Sequence, residues 1–340
     1  MIRRYRSLMV LALPAILLAV ACGGGTSNAD KTATAGAKPA TTAAAKTPAG
    51  TATSAAPKAT TYPLTVTDML KKSVTIPAEP KSVAAISPTT VEFVYAVGGT
   101  SKTRPTSAKL PAAASAKDIG SSYQPNIELI AAEKPDLVIA DAVLQPQLAQ
   151  SLAGLNVPVL YVGASNFADV LTGLDLIGKV LNKPAEASRR AGDLQAKLAD
   201  LKKKEGATKP KVLVLNGAPQ DFYAAKPESY VGDLVQQLGG DNVAKGQPDV
   251  GQFPGYTKLA LEAILASSPD VILAITAGPP GGTTITQALS ADPAWSAIPA
   301  VKNKRVSEIS AELFLQAPGP RVGDALDQLA KLLYPTGTSP

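Results

Sequence analysis

Histidine is absent from the 340 residues and cysteine occurs once. The first absence excludes His-ligated zinc, a His general base and a Ser-His-Asp triad. The second excludes an intramolecular disulfide framework. The sequence also contains no Gly-x-Ser-x-Gly elbow, no Walker loop and no metal-ligand spacing, so most hydrolase and nucleotide chemistry is removed and no catalytic residue is nominated. Aromatic residues are scarce, at 4%, yet 45% of the chain is hydrophobic by type. That is too apolar for a wholly disordered chain and enough for two ordinary domains. A long hydrophobic run is missing as well: Leu8 to Val20 is apolar but holds Pro14, and it falls short of the roughly 20 residues that span a bilayer.

The formal charge of +6 loses its meaning once the charges are placed. Arg3, Arg4, Arg6, Lys31, Lys38, Lys46 and Lys58 precede Tyr62 against the single acid Asp30, and the remaining basic and acidic residues balance. A neutral body gives no support to nucleic-acid binding.

The three N-terminal arginines, the apolar run and the small-residue exit Ala19-Val20-Ala21 make residues 1–21 an export signal. The sole cysteine, Cys22, stands at the cleavage point before three glycines and, with Ala19 where leucine is usual, resembles the lipobox of bacterial lipoproteins. The resemblance implies that Cys22 carries lipid and becomes the mature N-terminus; the alternative is a plain secretory signal with an unmodified thiol. Residues 22–61 are Ala, Thr, Gly, Pro and Lys without apolar periodicity, a composition that does not offset ordering entropy. They read as a disordered tether holding the body roughly 35 Å from the membrane on average.

Beyond the tether, short apolar strands alternate with helical segments, the pattern of α/β layers around parallel sheets. Two lobes emerge, 62–165 and 206–335. The first opens with a hairpin, Tyr62 to Asp68 and Ser73 to Ile76, followed by strands at Val83 to Ile86, Leu137 to Ala140 and Val157 to Val162 and a helix over Val91 to Val97. The second holds strands Val212 to Leu215 and Val271 to Ile275, with helices over Tyr230 to Leu238, Lys258 to Ala266 and Val322 to Leu333. Residues 166–205 between them read as a long connecting helix, interrupted near Asn182-Lys183-Pro184, whose stripe of Leu194, Leu198 and Leu201 makes it a strut. An internal repeat supports the division: Glu128 to Ala140 recurs as Glu262 to Ala274, with Glu, Ile, Ala, Pro, Asp and Ala in register. Each copy reads as a helix with its glutamate in the first turn, a proline stop and a buried strand. Such a glutamate has a local reason, the helix dipole, and an alternative one as a contact for a partner.

The run Val74 to Pro88 with Glu92 to Gly98, the Pro-Asn-x-Glu-x-Ile segment at Pro125 to Ile130, Lys134 to Ile139, Ala300 to Val306 and Pro318-Gly-Pro-Arg321 together resemble the iron/cobalamin class of periplasmic binding proteins, the substrate-binding lipoproteins of ABC importers. The match covers nearly all of 62–335. It implies two doubly wound lobes joined by a long rigid helix, a ligand cleft between them, no catalysis, and a permease dimer with its ATPase as partner. It further implies that Glu128 and Glu262 dock onto permease arginines.

For the ligand, the resemblance points to Tyr256 and to Tyr123 at the corresponding edge of the other lobe, and to Tyr223, which precedes a segment similar to a second-lobe cleft loop. Each tyrosine has an alternative as half-buried packing. Ser87 and Thr89 open a helix whose backbone N–H groups can face a cleft, or form an ordinary cap. Arg104, in a polar loop, can pair with an anionic cargo or stay solvated. Trp295 and Arg321 read as structural. Without histidine, a bare zinc or manganese ion has only carboxylates to bind, and haem-binding relatives often carry a tyrosine where this chain has Leu110 before Pro111. The expected cargo is therefore a siderophore-type iron chelate, with cobalamin next and haem behind. The rivals are an exported α/β enzyme and a sensory or adhesive lipoprotein on the same fold.

Overall fold

The computed structural model describes residues 58–203, 206, 209–250, 254–278 and 281–335. The expected leader, Cys22 and tether up to residue 57 lie outside the described residues. The body begins with an antiparallel hairpin, β1 (Leu64–Thr67) and β2 (Ser73–Ile76), with Leu64 opposite Ile76. Its turn is closed by Asp68, whose Oδ1 accepts the amides of Leu70 at 2.9 Å and Lys72 at 2.8 Å.

Next come β3 (Val83–Ala85), α1 (Pro88–Ala96), β4 (Thr103–Arg104), β5 (Lys117–Asp118), α2 (Ile127–Ala132), β6 (Leu137–Asp141), α3 (Ala149–Ala153) and β7 (Val159–Val162). These strands pair in parallel in the order β5-β4-β3-β6-β7. Helices cover both faces, so every residue of β6 is buried and the strand is an unbroken apolar run until Asp141.

The stretch expected as one connecting helix is two, α4 (Phe167–Val180) and α5 (Pro184–Lys202). Asn182 takes a left-handed φ of 55° and Pro184 occupies the first turn of α5, so the chain stops and restarts in a new direction. Helix α4 belongs to the first lobe: a Cβ on Gly173 would come within 2.6 Å of the Phe93 ring on α1. The strut is α5 alone, 19 residues and roughly 28 Å long. Near its start Arg190 donates to the Ala96 carbonyl at the end of α1.

The second lobe comprises β8 (Lys211–Ala218), β9 (Asp221–Ala225), α6 (Tyr230–Gln237), β10 (Asp241–Asn242), β11 (Tyr256–Thr257), α7 (Leu261–Ser267), β12 (Val271–Thr276), α8 (Ile285–Ala291), α9 (Pro299–Lys302), β13 (Val306–Glu308) and α10 (Val322–Leu333). Its sheet runs β11-β9-β8-β12-β13, with β10 beside the start of β8. It is mixed rather than purely parallel, because β9 turns back on β8 and β11 joins β9, both antiparallel. Gly217 permits the first reversal: at φ 140° a Cβ there would lie 2.5 Å from the Asp221 carbonyl oxygen. Leu194 of α5 packs over Gly323 of α10, and Lys197 is ion-paired with Asp327 one turn on.

The repeat folds twice as helix, αL residue, proline and strand, with Lys134 at φ 47° and Ser268 at φ 50°. Its aspartates have one job in both places. Asp136 accepts the amides of Lys81 and Ser82 at 2.7 and 3.0 Å, and Asp270 accepts that of Lys211 at 2.8 Å. Each thus satisfies the entry of the neighbouring strand, β3 or β8.

One hydrophobic core runs through both lobes, joining Phe93 and Leu160 of the first to Val214, Leu273 and Leu326 of the second through Leu174, Leu194, Leu198 and Leu201. The opposite sheet faces have separate cores, around Ile86 and Ile130 and around Trp295 and Ile264. Replacing Leu198 by alanine is expected to cost about 2–5 kcal/mol and to lower the stability of both lobes together. Urea unfolding followed by Trp295 fluorescence, a second-lobe signal, should coincide with that followed by far-UV dichroism; two separated transitions would show that the lobes do not share a core.

Candidate ligand cleft

In a parallel α/β layer the loops after the strands' carboxyl ends gather on one edge, where ligands bind. In the first lobe that edge is built on buried polar groups. Asp141, at the end of β6, accepts the amides of Val143 at 2.8 Å and Leu144 at 3.0 Å and the Ser87 hydroxyl at 3.2 Å. Burial pushes its carboxyl above the usual carboxylate range, against the pull of those donors. Gln145 is fully buried; its side-chain oxygen accepts the Asp141 amide at 2.9 Å while Nε2 donates to the carbonyls of Ile86 at 2.9 Å and Ser122 at 2.6 Å. One amide thereby ties the ends of β3 and β6 to the loop that presents Tyr123.

Ser87 and Thr89 do not face a cleft, being 0% and 1% exposed. Ser87 is the N-cap of α1, accepting the Thr90 amide at 3.0 Å, so the cap satisfies the helix start from within the protein. Arg104 lies in strand β4 instead of a loop, with Nη1 3.1 Å from Asp118. Asp118 also accepts the Gly120 amide and the Thr106 hydroxyl, which hold its carboxyl below the usual range. The Arg104 charge is thus matched by Asp118 through Nη1, a contact that braces the ends of β4 and β5, while its Nε is buried without a partner.

Beside this brace a cavity of about 390 Å³ is lined by Thr106, Ser107, Lys109, Ser121, Ser122 and Tyr123 of the first lobe and by Gln316 of the second. Tyr123 is 66% exposed. Lys109 Nζ donates to the Thr106 carbonyl at 3.2 Å and makes no salt bridge among the described residues. Gln316 closes a π-helical turn, Glu312–Gln316, on which Leu315 is also exposed. A larger cavity of about 640 Å³ opens between the hairpin and α4, but its walls all belong to the first lobe.

Tyr256 lies in β11 against the shared core, and burial pushes its phenol up. Tyr223 lies in β9 opposite Asn216, with Lys258 Nζ 4.8 Å above its ring. Neither joins Tyr123 in the lining. Glu128 and Glu262 stand exposed in the first turns of α2 and α7, and neither is ion-paired among the described residues. Asp141, Gln145, Lys109 and Gln316 escaped the sequence reading. The one local cue was a carboxylate closing an all-apolar strand. Among the described residues no group of three or more His, Cys, Asp or Glu is placed to hold a metal ion, and no helix is long and apolar enough to cross a membrane.

The family model for periplasmic binding proteins matches residues 83–313, and the chain belongs to that family. It is a substrate-binding protein of the kind that serves ABC importers, which implies a permease and an ATPase as partners. Over 294 residues it is 26% identical to the ABC transporter substrate-binding lipoprotein YvrC of Bacillus subtilis, spanning 82% of this chain and 88% of that one. It is 26% identical over 221 residues to the high-affinity heme uptake system protein IsdE of Staphylococcus aureus, spanning 64% and 74%. An ABC transporter substrate-binding protein from Listeria monocytogenes superposes with a TM-score of 0.66 at 27% identity, covering 76% of this chain and 99% of that structure.

Gln145→Ala would strand the Asp141 amide and the Ile86 and Ser122 carbonyls. The expected loss is about 2–3 kcal/mol, with faster amide exchange confined largely to residues 119–125. An exchange pattern unchanged there would show that another group holds the Tyr123 loop.

Proposed function

We propose that this protein captures a siderophore-type iron chelate in the cavity between its lobes and delivers it to an ABC permease, without catalysing a reaction. The observation that carries this reading is the cavity itself. It draws on both lobes, its size suits an organic ligand, and it offers hydroxyls, an exposed phenol and an ammonium that makes no salt bridge among the described residues in place of a metal-ligand set. Such a lining suits the oxygen-rich shell of a prechelated ion, which Tyr123 can cover with its face while Lys109 meets negative charge. The heme-uptake relative supports iron as the element carried. Cobalamin is the next candidate; haem would have Tyr123 as its ligand in this cavity. Arg104, Ser87, Thr89, Tyr223 and Tyr256 are given no contact role here, since Ser87 and Thr89 are buried, Arg104 is ion-paired with Asp118 and stands outside the lining, and the two tyrosines also stand apart from it.

Glu128 and Glu262 are the proposed docking residues for permease arginines: matched in place, exposed and without an ion pair among the described residues, they offer one negative charge per lobe. Cys22 is the proposed lipid anchor, placing the body on the extracytoplasmic side of the membrane.

Calorimetric titration with zinc, manganese, haem, cobalamin, ferric citrate, a ferric hydroxamate and a ferric catecholate should give tight binding to a ferric chelate. Tyr123→Ala should weaken it about tenfold, the scale of one aromatic contact. Tight binding of a free ion with no response to any chelate would overturn the reading. In cells, Glu128→Arg and Glu262→Arg should each reduce uptake several-fold with ligand affinity unchanged, and Cys22→Ala should move the protein from the membrane to the soluble fraction. Loss of ligand binding in a folded glutamate variant would assign that residue to the ligand instead.

A further inference from the structure

Arg321, which the sequence leaves as structural, makes a polar contact between the lobes. It precedes α10 in the second lobe, yet its Nε and Nη2 donate to Oε1 of Glu92 on α1 of the first, at 2.8 and 2.5 Å. Nη2 also donates to Oε1 of Glu312 at 2.7 Å. The partners are 229 residues apart in one case and 9 in the other, so one guanidinium fastens a distant lobe and a nearby turn simultaneously.

Stability is a poor explanation for this arrangement. Glu92 is 5% exposed and its second carboxylate oxygen is buried without a partner. Burial pushes its carboxyl upward against the pull of Arg321, the mark of a charge kept out of water at a cost. Buried ion pairs of this kind are often matched in stability by apolar replacements, and their best-attested use is to select one arrangement over its neighbours. The surroundings are closely packed, with Gly319 against the Phe93 ring.

The turn held by Arg321 is the π-helical one. Glu312 stands at its start and Gln316, four residues on, at its end in the cavity wall. The turn is closed by the Ala317 amide donating to the Glu312 carbonyl at 2.9 Å. π-Helical turns are uncommon and concentrate at functional sites. Within this turn Glu312 meets Arg321, Leu315 is exposed and Gln316 lines the cavity.

We propose that Arg321 is a positioning residue for the ligand cavity, setting the spacing of the lobes through Glu92 and the placement of Gln316 through Glu312. The spacing role stands independently; the ligand role rests on the function proposed above. The two carboxylates divide the work. Loss of the Glu92 contact leaves the lobe spacing to the shared core alone, whereas loss of the Glu312 contact frees only the cavity wall.

The test uses the full chain with Cys22→Ser and nitroxide labels at Ala131→Cys and Ala263→Cys, exposed positions on α2 and α7. Electron–electron resonance should give one narrow distance distribution in this background and in Glu312→Gln, but a broadened one in Glu92→Gln and Arg321→Met. If Arg321→Met does not fold, Arg321→Lys takes its place, since an ammonium lacks the fork that reaches both carboxylates. For whichever of the ferric citrate, hydroxamate and catecholate probes binds the parent, affinity should fall about tenfold or more in Glu312→Gln and in the arginine variant, with thermal midpoints little changed. Narrow distances in Glu92→Gln and in the arginine variant, with only the melting temperature lowered, would overturn the proposal. If no chelate binds the parent, the proposed function fails while the distance measurement still decides the spacing role.

Discussion

Everything that a ligand could meet in this protein depends on the hydrophobic core that crosses from one lobe to the other. Phe93, Leu174, Leu198 and Leu326 belong to a single packed cluster, and interiors at that density do not slide freely. The lobes are therefore joined by packing and not merely by a connecting chain. Helix α5 is the piece that makes this work: Leu194, Leu198 and Leu201 present one buried stripe along it, and its charged remainder stays in water. Since α4 ends before α5 begins, the strut is a separate helix, packed on α4 and touching α1 near one end and α10 near the other.

Against that apolar join, the polar groups sort into those that hold and those that are left over. Asp141, Gln145, Asp118 and Arg104 spend their hydrogen bonds on the carboxyl edge of the first sheet. Each is chemically suited to touch a ligand, and each is occupied except at the Arg104 Nε, which is buried without a partner. A buried donor or acceptor left unpaired is costly, so these residues serve the loops, and the loops present the side chains that remain: Tyr123, Lys109 and, from the opposite wall, Gln316. The triad of Glu92, Arg321 and Glu312 extends the same logic across the lobes.

The repeated helix–strand unit shows how one local pattern does two jobs. Its aspartate, Asp136 or Asp270, is consumed at the amino edge of the sheet by the neighbouring strand's amides. Its glutamate, Glu128 or Glu262, remains exposed. A carboxylate that must satisfy backbone groups and one that is free to meet a partner are thus separated by eight residues in each copy, in matched positions on two lobes.

The amino-acid sequence alone determined what short-range physics encodes. Alternating apolar strands and helices gave the α/β class, the hairpin after Tyr62 and the helix over Val322 to Leu333, and the repeat placed Glu128 and Glu262 in equivalent first turns, because periodicity, proline stops and the helix dipole act within a few residues. It also excluded histidine chemistry outright. What only the tertiary structure decided are contacts between residues remote in the chain: the pairing of Arg104 with Asp118, the reach of Gln145 to Ile86 and Ser122, the mixed second sheet, and the grip of Arg321 on Glu92. No local window holds both partners of such a contact. Whether a polar side chain is spent inside the protein or offered to a ligand is settled by burial and geometry, and those exist only once the lobes have packed.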